Sequence, residues 1–117
     1  MLFPPLSNNP DVWTDILRIR TLNTELSRKT TENHICPLQL DVIERLIERF
    51  SNEGDTILDP FNGVGSTVYQ ALKMGRKGLG IELNPAYFDH SVGYCEQAEQ
   101  ERSAPTLFDL IDYAVPA

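Results

Sequence analysis

Residues 1–33 show no sustained hydrophobic periodicity. Within them Val12-Trp13 is a small apolar pair, and Trp13 has the character of a core or interface anchor. Leu17 and Ile19 alternate with Arg18 and Arg20, which predicts a short strand over 16–20, and the polar stretch 21–33 reads as loop. From Pro37 the spacing turns helical. Leu40, Ile43, Leu46, Ile47 and Phe50 form one apolar stripe, with Pro37 suited to the first helical position and 51–55 ending the helix. Thr56-Ile57-Leu58 predicts a strand stopping at Asp59, followed by a glycine-containing loop over 60–67. A helix is expected from Val68 to Met74, stopped by Gly75, and a second strand over 78–81 that ends at Glu82. Asn84 as N-cap and Pro85 at the first position start a third helix to about Gln100, with Tyr87, Phe88, Val92 and Cys95 as its buried candidates. Residues 107–111 are a short apolar strand or docking segment. The order helix, strand, helix, strand, helix predicts an α/β fold with parallel strands and flanking helices.

Composition adds limits. The 117 residues suffice for one domain, and 41% hydrophobic with 23% charged residues argues against disorder. No apolar run reaches the roughly 18 residues of a membrane helix. The opening Met1-Leu2-Phe3-Pro4-Pro5 does not read as a signal peptide, so a cytoplasmic protein with Cys36 and Cys95 as reduced thiols is expected. The net charge is −7, and residues 81–117, with one basic and seven acidic side chains, carry −6 of it. Such a tail does not grip a phosphate backbone.

The candidate chemistry lies between the two strands. Asp59 and Glu82 both sit at expected strand ends, where ligands bind in open parallel sheets. They are 23 positions apart, which leaves room for one helix and one strand, so both carboxylates face one crevice. An acidic residue about 20 positions after a glycine loop typically accepts hydrogen bonds from a ribose. The loop reads Gly63-Val64-Gly65, neither a dinucleotide fingerprint nor a phosphate-binding P-loop. Its carboxylates would repel a pyrophosphate and suit a nucleoside with a cationic, phosphate-free tail, such as S-adenosylmethionine. A tight strand-to-helix turn without a ligand is the alternative.

The run Asp59-Pro60-Phe61-x-Gly63-x-Gly65-Ser66-Thr67 resembles the cofactor loop of the amino-methylating DNA methyltransferases, which modify adenine N6 or cytosine N4. The stretch 75–82 ending at Glu82, with Tyr87 five residues on, is similar to that family's ribose-binding segment. His34-Ile35-Cys36-Pro37-Leu38-Gln39 is similar to the segment placed just before the loop, although Ile35 stands where many relatives carry Pro. The resemblance implies a Rossmann-like S-adenosylmethionine-dependent fold. It places backbone groups near Phe61, Gly63 and Gly65 along the methionine moiety and Asp59 behind its ammonium group. It gives Glu82 the ribose hydroxyls, sets Leu83 and Asn84 beside the adenine, and has His34 to Leu38, Pro37 included, close the far side.

The same resemblance implies a base-handling tetrapeptide, Asp/Asn/Ser-Pro-Pro-aromatic, for an extruded base. Phe3-Pro4-Pro5-Leu6 lacks both functional ends, and Asn84-Pro85-Ala86-Tyr87 is explained by a capped helix start. No catalytic residue is therefore assigned. The chain is expected to be the carboxyl-terminal cofactor half of a permuted enzyme. Residues 1–33 would be the end of a recognition region, 34–104 the cofactor-binding domain and 105–117 a tail. DNA would be met through the missing half, and the chain alone would be inactive. A non-catalytic assembly module, pairing with a separate catalytic chain or with a second copy, is the alternative, as is a methyltransferase for a substrate other than DNA.

Weaker signals have plain explanations. His34, Cys36, His90 and Cys95 fit no zinc spacing and are expected in packing or surface roles. Arg18, Arg20, Arg28 and Lys29 suit either phosphate contact or a solvated face. Pro105-Thr106-Leu107-Phe108 faintly resembles clamp-docking peptides but lacks their glutamine.

Overall fold

The computed structural model describes residues 11–22 and 36–114. The order is α1 (Leu40–Phe50), β1 (Thr56–Asp59), α2 (Ser66–Lys73), β2 (Lys77–Gly80), α3 (Pro85–Ser103) and α4 (Leu107–Ala114). β1 and β2 pair in parallel, with Thr56 opposite Lys77 and Asp59 opposite Gly80. The α/β class, the parallel pair and both of its strands are as expected, and β2 lies one residue earlier than its pattern suggests. The pairing continues past it, because the Ile81 amide donates to the Asp59 carbonyl at 2.9 Å.

No strand forms over 16–20. Arg20 N–H donates to the Leu17 carbonyl at 3.2 Å and closes a turn. The turn is held by charge rather than by sheet pairing. The Leu17 amide donates to Asp41 at 2.8 Å, and the Arg20 guanidinium bridges Asp41 and Glu44 on α1. Arg20 is thereby a structural cation and not a free one. Beside it, Arg45 donates to both oxygens of Asp15, at 2.9 and 2.6 Å, while Arg45 and Arg49 lie over the Trp13 ring at 4.7 and 5.2 Å. Trp13 anchors the segment 11–22 to α1.

α1 begins at Leu40 and not at Pro37. The first amides of a helix have no partner inside it. Here the Leu40 amide donates to the Arg20 carbonyl at 2.9 Å, so the preceding segment supplies the cap. The expected apolar stripe is split. Leu40, Ile43 and Ile47 enter the core with Tyr69, Ala71 and Ala98, while Leu46 and Phe50 stay exposed along an apolar groove with Leu38 and Ile57.

α2 starts at Ser66, two residues before the expected Val68, because Gly65 at φ +96° serves as its N-cap. Only glycine adopts that backbone without strain. α2 packs against α1, α3 and both strands. On α3, the inward face is Ser91, Tyr94 and Ala98. Phe88 and Val92, expected inside, are 50% and 41% exposed. Small residues at 91 and 98 let the backbones of α2 and α3 approach closely, and the bulky ones turn outward. α3 also runs past Gln100 to Ser103.

The segment expected as a strand after Pro105 is helix α4. Thr106 and Asp109 form a reciprocal capping pair, with the Thr106 amide donating to Asp109 at 2.7 Å and the Asp109 amide to the Thr106 hydroxyl at 3.2 Å. The Thr106 hydroxyl and amide bonds hold the Asp109 carboxyl below its usual range. Leu107, Phe108, Leu110 and Ile111 of α4 are exposed. One face of the sheet is covered by α2, whereas Leu58, Leu79 and Ile81 on the other are each more than half exposed.

Candidate functional site

A cleft of about 380 Å³ opens at the carboxyl ends of the strands, between the loop 60–65, the start of α2 and the segment before α1. Of the residues singled out in the sequence, Pro37, Leu38, Asp59, Phe61, Gly63, Ser66, Thr67 and Tyr87 line it. Cys36, Asn62 and Val64 line it too, and nothing in the sequence marks them for a site role beyond their neighbours in the motifs. Pro60, Gly65, Glu82, Leu83 and Asn84 lie outside the lining set, and His34 falls outside the described residues.

Glu82 is nonetheless joined to the cleft. It lies two residues past β2, and its Oε2 accepts from the Gly63 amide at 2.7 Å. Its Oε1 accepts from the Asn84 amide at 3.0 Å. An ionised carboxylate has about four acceptor positions, so roughly two remain for a ligand's hydroxyl groups. Asp59 turns back on its own loop, where Oδ1 accepts from the Phe61 amide at 3.0 Å. The 23-residue spacing thus brings two acceptor-only groups to one end of the sheet, as expected.

The remaining geometry sorts the other candidates. Asn84 Oδ1 accepts from the Ala86 and Tyr87 amides at 2.9 and 3.3 Å, so its side chain caps α3. Leu83 is 94% and Phe61 89% exposed, leaving two apolar surfaces at the rim. Ser66 and Thr67 open α2, whose amino-terminal end carries partial positive charge. Among the described residues, no Lys or Arg lines the cleft. The cleft therefore offers carboxylates for cations and hydroxyls, one helix start for a carboxylate, and no clamp for a polyphosphate. Cys95, by contrast, is remote in character: burial, then Glu99 and Glu96, push its thiol up, away from the reactive thiolate.

A family model described as DNA methylase matches residues 6–93. The Type II methyltransferase M.ScaI of Streptomyces caespitosus is 38% identical over 98 residues, covering 82% of this chain and 31% of the relative. The DNA adenine methyltransferase YhdJ of Escherichia coli (strain K12) is 40% identical over 77 residues, 66% of this chain and 24% of that protein. The chain thus spans about a third or less of the length of these relatives. Among solved structures, TTHA0409 of Thermus thermophilus, a DNA modification methylase complexed with S-adenosyl-L-methionine, matches with a TM-score of 0.50 at 39% identity. That match covers 54% of this chain and 26% of the other.

Proposed function

The chain belongs to the amino-methylating DNA methylase family, and from that premise we propose that it is the methyl-donor-binding portion of a DNA methyltransferase acting on an exocyclic amine of adenine or cytosine. The observation that carries the reading is Glu82. Its carboxylate is fixed by the Gly63 and Asn84 amides and keeps lone pairs for a ribose diol at the mouth of the cleft. Asp59 supplies a negative charge for the donor's ammonium group, and the start of α2 at Ser66 and Thr67 faces its carboxylate. Pro37 and Leu38 border the far side, while Phe61 and Leu83 give apolar surface for the methionine chain and the adenine. S-Adenosyl-L-methionine, when bound, supplies an electrophilic methyl group on its sulfonium. The residues of this chain bind and orient it and exclude phosphate-bearing nucleotides by charge.

In this reading the order is permuted, with the base-handling and target-recognition parts encoded elsewhere. Residues 1–33 end the recognition region, 34–104 form the donor-binding domain and 105–117 are a tail. DNA binds through the other part, in the cytoplasm. The capping bonds of Asn84 support this, because they account for Asn84-Pro85-Ala86-Tyr87 without catalysis. A second reading, a non-catalytic assembly module, draws support from the exposed Leu58, Leu79 and Ile81. Equilibrium dialysis with labelled donor separates the two: saturable binding abolished by Glu82→Ala supports the donor site, and no binding supports pure assembly. A methyl-transfer assay on duplex DNA with the chain alone should show no incorporation, and robust incorporation would refute the division of labour.

A further inference from the structure

We propose that Asn62 and Ser91 are positioning residues of the donor site, joined by a buried hydrogen bond that holds the glycine loop in its binding shape. The inference rests on the donor reading above. Asn62 is 8% exposed and Ser91 6%, and Asn62 Nδ2 donates to Ser91 Oγ at 2.8 Å. The bond ties the loop to α3 across 29 positions of sequence.

The surroundings are shaped for that amide. A Cβ on Gly80 would lie 2.4 Å from Asn62 Cγ, so the side chain fits only because β2 carries glycine there. A Cβ on Gly65 would lie 3.0 Å from Ser91 Cβ, so α3 meets the loop backbone directly. The Asn62 side chain is thus held between the end of β2 and α3. Its backbone is fixed as well, donating to the Ile81 carbonyl and accepting from the Gly65 amide, both at 2.9 Å. The next residue, Gly63, gives its amide to Glu82. A shift of Asn62 therefore moves the amide that orients the ribose acceptor.

Folding alone does not account for an amide at this place. Asn62 Oδ1 is buried without a protein hydrogen-bond partner. A buried carbonyl oxygen left so is costly, and an apolar side chain of the same shape would avoid that cost. The amide contributes direction, a donor aimed at Ser91, which an apolar group cannot supply.

Asn62→Ala, Ser91→Ala and the double variant test this in the 117-residue chain. Donor affinity is read by calorimetry well below each melting temperature, and amide hydrogen exchange at Gly63 by NMR. Each single change should weaken S-adenosyl-L-methionine binding about fivefold to tenfold, the loss expected of one buried neutral hydrogen bond. The double variant should be no weaker than the singles, and exchange at Gly63 should quicken in all three. Ser91→Ala, which adds no bulk beside Gly65, serves if Asn62→Ala fails to fold. Unchanged affinity with only a lowered melting temperature, additive losses, or an unaltered Gly63 amide in both singles would overturn the positioning role. If the wild-type chain binds no donor while the Gly63 amide is released in the variants, the donor reading falls and the link between loop and α3 stands.

Discussion

Replacing Glu82 separates the two jobs its carboxylate performs. In Glu82→Gln the side chain keeps its length but has one acceptor oxygen where there were two. That oxygen can serve either the Gly63 amide, now at 2.7 Å, or the Asn84 amide, now at 3.0 Å. The new NH2 then faces the other backbone N–H, donor against donor. A hydrogen bond to a charged group contributes about 1.5–3 kcal/mol, and Glu82 is half-buried, so the lower half of that range applies to the bond lost. The melting temperature should fall by about 4–8 °C for each kcal/mol lost in a domain of this size. Donor binding suffers separately, because a ribose diol loses its charged acceptor; about 1.5–3 kcal/mol corresponds to roughly tenfold to a hundredfold weaker affinity. Calorimetry with S-adenosyl-L-methionine, alongside thermal melts, reads both. Affinity within twofold of wild type in a folded Gln variant would refute the assignment of the diol to Glu82.

Other consequences follow from particular contacts. Arg45→Ala removes both bonds to Asp15 and one cation from Trp13; its side chain is 5% exposed, so a loss of about 2–4 kcal/mol is expected by denaturant titration, with a red shift of Trp13 emission. Arg45 holds the Asp15 carboxyl below the ordinary 3.8. For Asp41, burial acts upward, but the Arg20 and Leu17 hydrogen bonds bring it below the same value. Both groups therefore stabilise the fold above the unfolded value, and that stability is lost as pH falls through the lower folded values. Trp13 emission should report release of the 11–22 segment at pH below about 3.8, with the Asp15 contribution gone in Arg45→Ala. Gly65→Ala forces a side chain to φ +96° and against Ser91, which should cost about 2 kcal/mol or more by thermal melt. ATP should not compete with the donor in dialysis, since carboxylates and no lysine or arginine face the cleft.

Much of the site is legible in the sequence because its parts are local. Strand, glycine loop, helix and strand follow one another, and the spacing of Asp59 and Glu82 suffices to place both at one sheet end. What stays hidden depends on tertiary partners. The alternation at 16–20 is real, but Arg20 meets two carboxylates on α1 and the backbone turns instead. On α3 the large apolar residues suggest the buried face, yet close approach to Gly65 selects Ser91 and Ala98. The start of α1 shifts because its cap comes from the Arg20 carbonyl, distant in sequence. α4 is readable in hindsight, since Thr106 and Asp109 have capping-box spacing and Leu107, Leu110 and Ile111 fall on one helical face. Asn62 has no local signal, because its partner Ser91 lies on another element.

The central claim, that the loop and Glu82 hold a methyl donor, is tested most directly by titrating S-adenosyl-L-methionine into the isotopically labelled chain and following backbone amides by NMR. The account predicts saturable shifts at Gly63, Gly65 and Asn84, with α4 silent and ATP without effect. No shift at these amides up to millimolar donor, or equal shifts with ATP, would contradict it.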